Sequence, residues 1–292
     1  MRRLFPVTYE TAAQAFGGGT EGEEVHGTAG ARAAHALGEA ARAHLLVNRE
    51  WSLAELAGAY AYPEQAPGSG PPRPWLRANM VSTLDGAGQH EGHSQPISGA
   101  ADMRVFGTLR ALADAIVVGA ETVRQEGYRP ARARAEFAEA RQAAGQGPAP
   151  AIAIVTAGLD LDFSLPLFTA PLVPTLILTG TGAPSDRVAA AEKAGARVVV
   201  AGEGAAVDPA RAVRALADLG LTRLLTEGGP RLLGQLVAAE VLDELCLTLS
   251  PMLTAGDAQR VAWGPSVADP LRFELVSLLE EDGFLFSRYR RS

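Results

Sequence analysis

The chain is poor in cysteine, in histidine and in net positive charge. Its single cysteine, Cys246, can make no internal disulfide, and its five scattered histidines offer no zinc-ligand spacing. The 26 lysines and arginines stand against 33 acids, which leaves a net charge of −7. This balance argues against nucleic acid or an anionic membrane as a partner.

Long apolar runs are missing as well. No run reaches the ~18 residues of a membrane span, and Arg2 and Arg3 are followed by no apolar segment of a signal peptide. We therefore expect a soluble, cytoplasmic protein without a membrane partner. The hydrophobic content of 47% over 292 residues supplies a sizeable core for one large domain or two small ones.

Residues 1–72 differ in composition from the rest of the chain. Ala31–Val47 and Leu53–Tyr60 can form helices, whereas Pro63 to Pro74 combines proline with glycine and serine, which is typical of a linker. No set of catalytic residues is found in this part. We therefore divide the chain into an N-terminal arm with a proline-rich linker, residues 1–72, and a second domain, residues 73–292.

Strand-like and helix-like segments alternate from Trp75 onward. Strands are expected at 75–83, 115–118, 152–156, 175–179, 197–200, 219–225 and 242–253, and helices at 98–111, 131–144, 186–194, 209–219 and from 230. Asp282-Gly283 between two apolar runs predicts a C-terminal hairpin. The pattern predicts an α/β protein whose mainly parallel sheet has an antiparallel edge and helices on both faces.

The stretch Leu224–Leu236 carries the strongest functional signal. Glu227, Gly228 and Gly229 follow a strand, and Pro230 suits the first position of the next helix because its missing N–H would have had no partner there. Such a turn presents backbone N–H groups at a helix N-terminus, where phosphate is favoured. An ordinary βα turn is the alternative. The acid at the carboxyl end of the strand favours a site.

Two further turns, at 84–86 and 119–124, are expected at the same end of the sheet. None of the three turns supplies a nucleophile with its base, a Walker lysine or a GxGxxG fingerprint. The sequence thus favours a nucleotide cradle for a cofactor that carries its own chemistry, as in hydride transfer.

Several motifs occur in the order found in a known family. They are Val81-Ser82-Thr83-Leu84-Asp85-Gly86, Ile97-Ser98-Gly99, Leu109-Arg110-Ala111, Ala115 to Val123, Leu225-Thr226-Glu227-Gly228-Gly229-Pro230 and Leu242-Asp243-Glu244-Leu245. From Trp75 to the C-terminus the chain resembles the reductase domain of riboflavin biosynthesis, the C-terminal half of the bifunctional deaminase–reductase. It is most similar to the stand-alone actinobacterial pyrimidine reductase paralogues, which share Glu-Thr-Val-Arg and Glu-Gly-Tyr.

The resemblance implies a dihydrofolate-reductase-like fold, that is, three α/β/α layers around a mostly parallel twisted sheet. It also implies a homodimer and NADPH as the hydride donor. The residues that it assigns to the cofactor are Val81, Gly119, Thr122, Val123, Thr156, Gly228, Gly229, Pro230, Arg231, Leu232 and Leu233. The family's deaminase half has a zinc signature that nothing here matches, so neither deamination nor a metal is expected.

The same resemblance implies a phosphorylated pyrimidine as substrate. The residues that it assigns to this heterocycle are Ser94, Arg110, Glu126, Arg129 and Glu227. Asp85 and Glu227 are the candidate catalytic residues, because each could hold donors of the substrate or assist proton delivery. A carboxyl group with an ordinary pKa near ~4 is ionised at pH 7, so neither is expected to be a full general acid unless burial raises its pKa.

Simpler interpretations exist for three of these residues. Arg110 could face the helix dipole or solvent, Ser94 could be a loop serine, and Asp85 could cap its own turn.

The segment Arg124–Pro130 departs from the family pattern. The usual Asp-Asp-Pro is replaced by Glu126-Gly127-Tyr128, in which the glutamate replaces one acid and the tyrosine suggests a reshaped pocket. Arg129 could still reach a phosphate. Three functions stay open: reduction of a ribosylaminopyrimidine, which is favoured, reduction of dihydrofolate or a pterin, and a non-catalytic NADP-binding paralogue.

Overall fold

The structure is a computed structural model that describes residues 1–5, 49–64 and 73–292. The helix predicted at Ala31–Val47 lies outside the described residues, as does most of the linker. The helix predicted at Leu53–Tyr60 is confirmed, and it begins with a capping box in which Ser52 and Glu55 satisfy each other's backbone N–H groups.

Ten strands and eight α-helices are formed by the described residues. The strands are β1 (Arg2–Phe5), β2 (Trp75–Ser82), β3 (Ala115–Gly119), β4 (Ala151–Val155), β5 (Leu176–Thr179), β6 (Arg197–Val200), β7 (Arg223–Thr226), β8 (Glu244–Leu249), β9 (Phe273–Glu281) and β10 (Phe284–Arg291). The helices are α1 (Leu53–Ala59), α2 (Ala100–Leu112), α3 (Ala120–Gln125), α4 (Ala138–Ala143), α5 (Pro166–Thr169), α6 (Ser185–Lys193), α7 (Pro209–Asp218) and α8 (Pro230–Ala238). None of these helices is long and apolar enough to cross a membrane.

All the strands belong to one sheet, in the order β1-β9-β10-β8-β2-β7-β3-β4-β5-β6. From β8 to β6 adjacent strands run parallel to one another, whereas β10 is antiparallel to β8 and β9, and β1 is antiparallel to β9. The turn between β9 and β10 has positive φ at both Asp282 and Gly283. The predicted α/β fold, with its mainly parallel sheet and C-terminal hairpin, is therefore confirmed.

Two apolar cores lie on opposite faces of the sheet because side chains alternate along each strand. Ile116 and Val118 of β3 pack with Leu109 of α2 in one core. Val117, between them, packs with Leu233 of α8 in the other. Helices thus cover both faces, as the sequence predicts, and the molecule has three layers.

Some element limits differ from the sequence-based expectation. The helix expected at 131–144 is reduced to a 3-10 turn and the six-residue α4, while Arg134 lies in extended conformation and packs on Gly107 of α2. Ser98 does not cap α2, since the cap is Gly99 and the Ser98 hydroxyl donates to Asp102 instead. The strand expected at 219–225 begins only at Arg223, because α7 ends at a turn in which Gly220 has positive φ.

Two parts of the predicted arm pack against the second domain. Strand β1 pairs with β9, and α1 contacts α2 with the side chain of Leu56 fully buried. The end of α1 is held by Arg288 of β10, which donates to the carbonyls of Ala59 and Ala61 at 2.6 and 3.1 Å. The division of the chain at residue 72 stays a prediction.

A buried ion cluster lies beneath this contact. Arg77 of β2 and Arg288 donate to Glu244 of β8 at 2.5 and 2.8 Å, and the side chains of Arg77 and Glu244 are fully buried. Burial alone would raise the pKa of the Glu244 carboxyl, but the charges and hydrogen bonds of the two arginines outweigh burial and hold this pKa below its usual value.

Replacing Glu244 should destabilise the fold strongly. Glu244→Gln leaves two buried cations without a counter-charge, and we expect the free energy of unfolding to fall by about 3–5 kcal/mol in urea titrations at pH 7. Because the folded pKa is depressed, the charge contribution is present above the unfolded value of ~4.3 and is lost as pH falls through the folded value. The difference between the two proteins should therefore shrink below pH ~4.

Glu203→Gln is a matched control, because Glu203 pairs with Arg211 on the surface with 81% of its side chain exposed. Such a pair contributes at most about 1 kcal/mol. Equal unfolding curves for the two variants would contradict a structural role for the buried cluster.

Candidate active site

A cavity of about 1110 Å³ opens at the carboxyl ends of β2, β7 and β3. These strands are parallel neighbours, so the turns that follow them meet at one edge of the sheet, where ligands bind in open α/β sheets. The cavity exceeds the usual ~300–1,000 Å³ of a small-molecule pocket, which leaves room for a cofactor and a substrate together.

Glu227 lies directly after β7 with 3% of its side chain exposed, and it anchors one wall of this cavity. Arg110 of α2 donates to both carboxylate oxygens, from Nε at 2.6 Å and from Nη2 at 2.5 Å. The Tyr128 hydroxyl donates to Oε2 at 2.5 Å. The carboxylate thus accepts three hydrogen bonds, two of them from a guanidinium in the strong bidentate geometry.

The Glu227 carboxylate binds the side chains of Arg110 and Tyr128 and raises the pKa of both. The Arg110 guanidinium stacks on the rings of Phe106 and Tyr128, at 4.4 and 5.3 Å from their centroids. Burial alone would lower the pKa of Arg110, but the charge and hydrogen bonds of Glu227 outweigh it and raise this pKa. Burial, followed by the charge of Glu227, raises the pKa of the Tyr128 phenol well above its ordinary value. Arg110 is therefore not a solvent-facing arginine.

The glycine turn lies beside Glu227 and is closely packed. Gly228 has a φ of +96° and its peptide bond to Gly229 is cis. A Cβ added at Gly229 would lie 2.7 Å from the Thr122 hydroxyl. Gly119 N donates to Gly228 O at 3.3 Å, so the turns after β3 and β7 touch each other.

The predicted cofactor residues fall into two groups. Val81, Thr122, Gly229 and Pro230 line the cavity, and Gly119 and Gly228 contribute the touching backbone of the two turns. The other predicted cofactor residues do not line it.

Four of the predicted cofactor residues that do not line the cavity lie in a core or on the surface. Val123, Leu232 and Leu233 are buried in the two cores. Arg231 is on the surface, stacked on Trp263 at 5.1 Å. The three buried residues could therefore contact a ligand only through their backbone, and Arg231 only at the protein surface.

Thr156 directly follows β4 and is buried. Its hydroxyl accepts from Leu159 N at 3.1 Å and thereby holds the loop that follows the strand. Its predicted contact with the cofactor stays a prediction.

The predicted substrate residues all line the cavity, namely Ser94, Arg110, Glu126, Arg129 and Glu227. Glu126 accepts from the backbone N–H and the hydroxyl of Ser94 at 3.3 and 3.4 Å. Arg129 is exposed.

Asp85, the other candidate catalytic residue, is not brought to the cavity. Its carboxylate accepts hydrogen bonds from the Thr83 hydroxyl and from the backbone N–H of Ala255, the latter at 2.6 Å. Both bonds lower the pKa of Asp85, and the bond from Thr83 contributes more. These contacts favour the turn-capping interpretation of Asp85. A catalytic role stays a prediction.

Some buried polar residues of the cavity were missed from the sequence, among them Asn79 and Asp102. Asn79 of β2 is 9% exposed and Asp102 of α2 is 6% exposed. Asp102 shares a helical face with Val105 and Leu109, so an acid on an apolar stripe was the available signal.

Comparison with known proteins identifies relatives of the second domain. The family model of the RibD C-terminal domain matches residues 74–282. A 2,5-diamino-6-ribosylamino-4(3H)-pyrimidinone 5′-phosphate reductase of Archaeoglobus fulgidus is 31% identical over 224 residues, which cover 75% of this chain and 100% of the relative. A relative of the same name in Methanothermobacter thermautotrophicus is 33% identical over 207 residues, 70% of this chain and 91% of the relative.

Solved structures agree on the fold. A pyrimidine reductase-like protein from Corynebacterium diphtheriae superposes with a TM-score of 0.68 at 28% identity, over 75% of this chain and 92% of that protein. A riboflavin biosynthesis reductase from Saccharomyces cerevisiae superposes with a TM-score of 0.59 at 13% identity, over 82% of this chain and 99% of that protein, which supports the fold alone.

Tyr128 should stay protonated in the folded protein where ordinary tyrosines ionise. Its raised pKa predicts that wild type and Tyr128→Phe gain the same phenolate absorbance up to about pH 10.5, above the ordinary value of ~10. An excess of one ionised tyrosine in the wild type would contradict this.

The same shift makes the stability contribution of Tyr128 depend on pH. Loss of a hydrogen bond to a charged group should lower the free energy of unfolding by about 1.5–3 kcal/mol at pH 7. Because the folded pKa is raised, this contribution is full below ~10 and is lost as pH rises through the folded value. Urea titrations of both proteins at pH 7 and pH 10.5 measure the change.

Proposed function

Since the chain belongs to the RibD C-terminal domain family, we propose that it is an NADPH-dependent reductase that converts the ribosylamino group of a phosphorylated pyrimidine to a ribitylamino group. The family's matched curated members are reductases, and the chain is an oxidoreductase of this kind. One observation carries the proposal: the Glu227 carboxylate and the Gly228-Gly229 turn lie side by side in a cavity at the carboxyl ends of three parallel strands.

The cavity suits a dinucleotide because its cofactor wall is made of backbone and small side chains. No Cβ occupies the space between Gly229 and the Thr122 hydroxyl, and Pro230 begins α8 there, so the helix presents its N-terminus. Bound NADPH would supply the hydride. Val81 and Thr122 would orient the nicotinamide, while the turn would meet phosphate through backbone N–H groups.

The opposite wall suits a heterocycle with N–H donors. A carboxylate has about four acceptor positions, and Glu227 uses three of them for Arg110 and Tyr128. The remaining position can accept from an amino or ring N–H group of the pyrimidine. Arg129 is available for the phosphate group, because none of its contacts with the described residues is an ion pair. A cytoplasmic homodimer, which the resemblance also implies, belongs to this proposal.

Two measurements test the function. NADPH binding is followed by cofactor fluorescence, with NADH for comparison, and turnover is followed with the ribosylaminopyrimidine phosphate and with dihydrofolate. We expect tighter binding of NADPH and turnover of the pyrimidine. Absence of binding at millimolar NADPH would overturn the proposal, and tight binding without turnover of either substrate would favour the non-catalytic paralogue.

Glu227→Gln should impair substrate use more than cofactor binding. The variant loses the counter-charge of Arg110 and a charged acceptor for the substrate, each of which is worth about 1.5–3 kcal/mol, so kcat/KM should fall at least about 10- to 100-fold. The Kd of NADPH should change less than about twofold. Glu192→Gln, on the exposed side of α6, is the matched control and should leave both constants unchanged. An unaltered kcat/KM in the Glu227 variant would remove this residue from the substrate site.

Gly229→Ala should have the opposite profile. Its new methyl group would lie 2.7 Å from the Thr122 hydroxyl and would displace the turn from the cofactor wall. We expect the Kd of NADPH to rise at least about tenfold, equivalent to ~1.4 kcal/mol. Gly58→Ala is the control, because nothing lies within 4 Å of a Cβ added at that position. Unchanged NADPH affinity in the Gly229 variant would place the cofactor elsewhere.

A further inference from the structure

A second carboxyl group with a buried side chain faces the cavity, on the side of β2 opposite to Glu227. Asp102 lies in the first turn of α2 with 6% of its surface exposed, and it lines the cavity. Its Oδ1 accepts from the Thr248 hydroxyl of β8 at 2.7 Å, and its Oδ2 accepts from the Ser98 hydroxyl at 2.5 Å. These partners are neutral, whereas Glu227 is paired with a guanidinium.

The position of Asp102 follows from the register of the sheet. Strand β2 lies between β7, which leads into Glu227, and β8, which carries Thr248 opposite Val81. The backbones of β7 and β8 are therefore two strand spacings apart, or about 10 Å. A substrate held by Glu227 and lying across β2 reaches the wall formed by Asp102.

The floor between the two walls also has an unsatisfied polar group. Asn79 of β2 lines the cavity, is 9% exposed, and has a side-chain oxygen without a partner among the described residues. Buried acceptors are nearly always satisfied in folded proteins, so a donor from a ligand is expected at this position.

Most ionisable groups on the surrounding elements have partners other than Asp102, whereas Arg134 packs on Gly107 of α2 and lines the same cavity. In the described part of the chain none of them forms an ion pair with Asp102. Arg77 of β2 and Arg288 of β10 pair with Glu244 of β8, and the Cys246 thiol donates to the same carboxylate. On α2 itself, Arg104 pairs with Glu281 and Arg110 pairs with Glu227. Burial raises the pKa of the Asp102 carboxyl, and the two hydroxyl groups offset only part of this rise.

We propose that Asp102 is the proton donor of the reductase and protonates the ring oxygen of the ribosyl group while the ring opens. This role rests on the proposed function. Asp102 can have this role and also link α2 to β8 through the hydrogen bond from Thr248. The role separates the two carboxyl groups by task, since Glu227 holds the heterocycle and Asp102 delivers the proton.

The reaction balances with this single proton. Reduction of a ribosylamino to a ribitylamino group forms one C–H bond at the anomeric carbon, using the hydride of NADPH, and breaks the bond from this carbon to the ring oxygen. The electron pair of the broken bond stays on that oxygen, which takes the proton of Asp102 and becomes a hydroxyl group of the ribityl chain. The Asp102 carboxylate then accepts hydrogen bonds from Ser98 and Thr248 until solvent returns the proton.

The first test needs neither substrate nor cofactor. Aspartate carboxyl carbons are labelled with 13C, and the Asp102 resonance is identified by its absence in Asp102→Asn and titrated in the free protein. We expect it to titrate above the ordinary ~3.9. Thr248→Val removes a hydrogen bond to the charged form and should raise the titration midpoint further, which also identifies the resonance if Asp102→Asn does not fold. Titration at or below the ordinary value would overturn the proposal.

The second test uses turnover. Loss of a general acid should lower kcat of Asp102→Asn about 10²- to 10⁴-fold, with the Kd of NADPH changed less than about twofold. The wild-type kcat should fall as pH rises through the pKa of the acid, and the variant should lack this dependence. Asp186→Asn, in the exposed first turn of α6, is the matched control and should behave as wild type.

The outcomes separate the role of Asp102 from the proposed function. An Asp102→Asn enzyme that keeps kcat within about threefold of an active wild type would overturn the role of Asp102 alone. A wild type that binds NADPH but turns over no ribosylaminopyrimidine would overturn the proposed function and this role together.

Discussion

The ion pair between Glu227 and Arg110 is the interaction on which the candidate site depends. It joins the end of β7 to the last turn of α2, and so it fixes the helical layer against the edge of the sheet where the cavity opens. Tyr128 is added to the same carboxylate from the segment after α3. One buried charge therefore aligns three chain segments, and the cost of burying it is offset by the bidentate geometry.

Local sequence signals predicted most helices and strands. The contacts between residues far apart in the chain could not be predicted from such signals. Asp208 caps α7 as expected, because its partner, Arg211 N, is three residues away. The helix expected at 131–144 is shorter in the structure, where Arg134 contacts Gly107 of α2, a distant contact that no local pattern shows. The hydrogen bond from the Ala255 amide to Asp85 is likewise invisible to a local pattern, because Ala255 is 170 residues further along the chain.

Three carboxyl groups, those of Asp85, Glu227 and Asp102, show how different the surroundings of one functional group can be. Asp85 is exposed and surrounded by donors, which lower its pKa. Glu227 is buried against a cation. Asp102 is buried among hydroxyl groups, and burial raises its pKa. The sequence located the first two because they are in recognisable turns. It missed Asp102, whose partner Thr248 in β8 is 146 residues further along the chain.

The short strand β1 has a consequence for self-association. It covers the outer side of β9, a nine-residue strand whose backbone donors and acceptors would otherwise face solvent. β1 itself carries Arg2 and Arg3 and has an irregular register before Phe5, and charges and irregularities of this kind discourage further strand addition. A protein that lost these few residues would present a long free edge, at which copies of the chain could pair and aggregate.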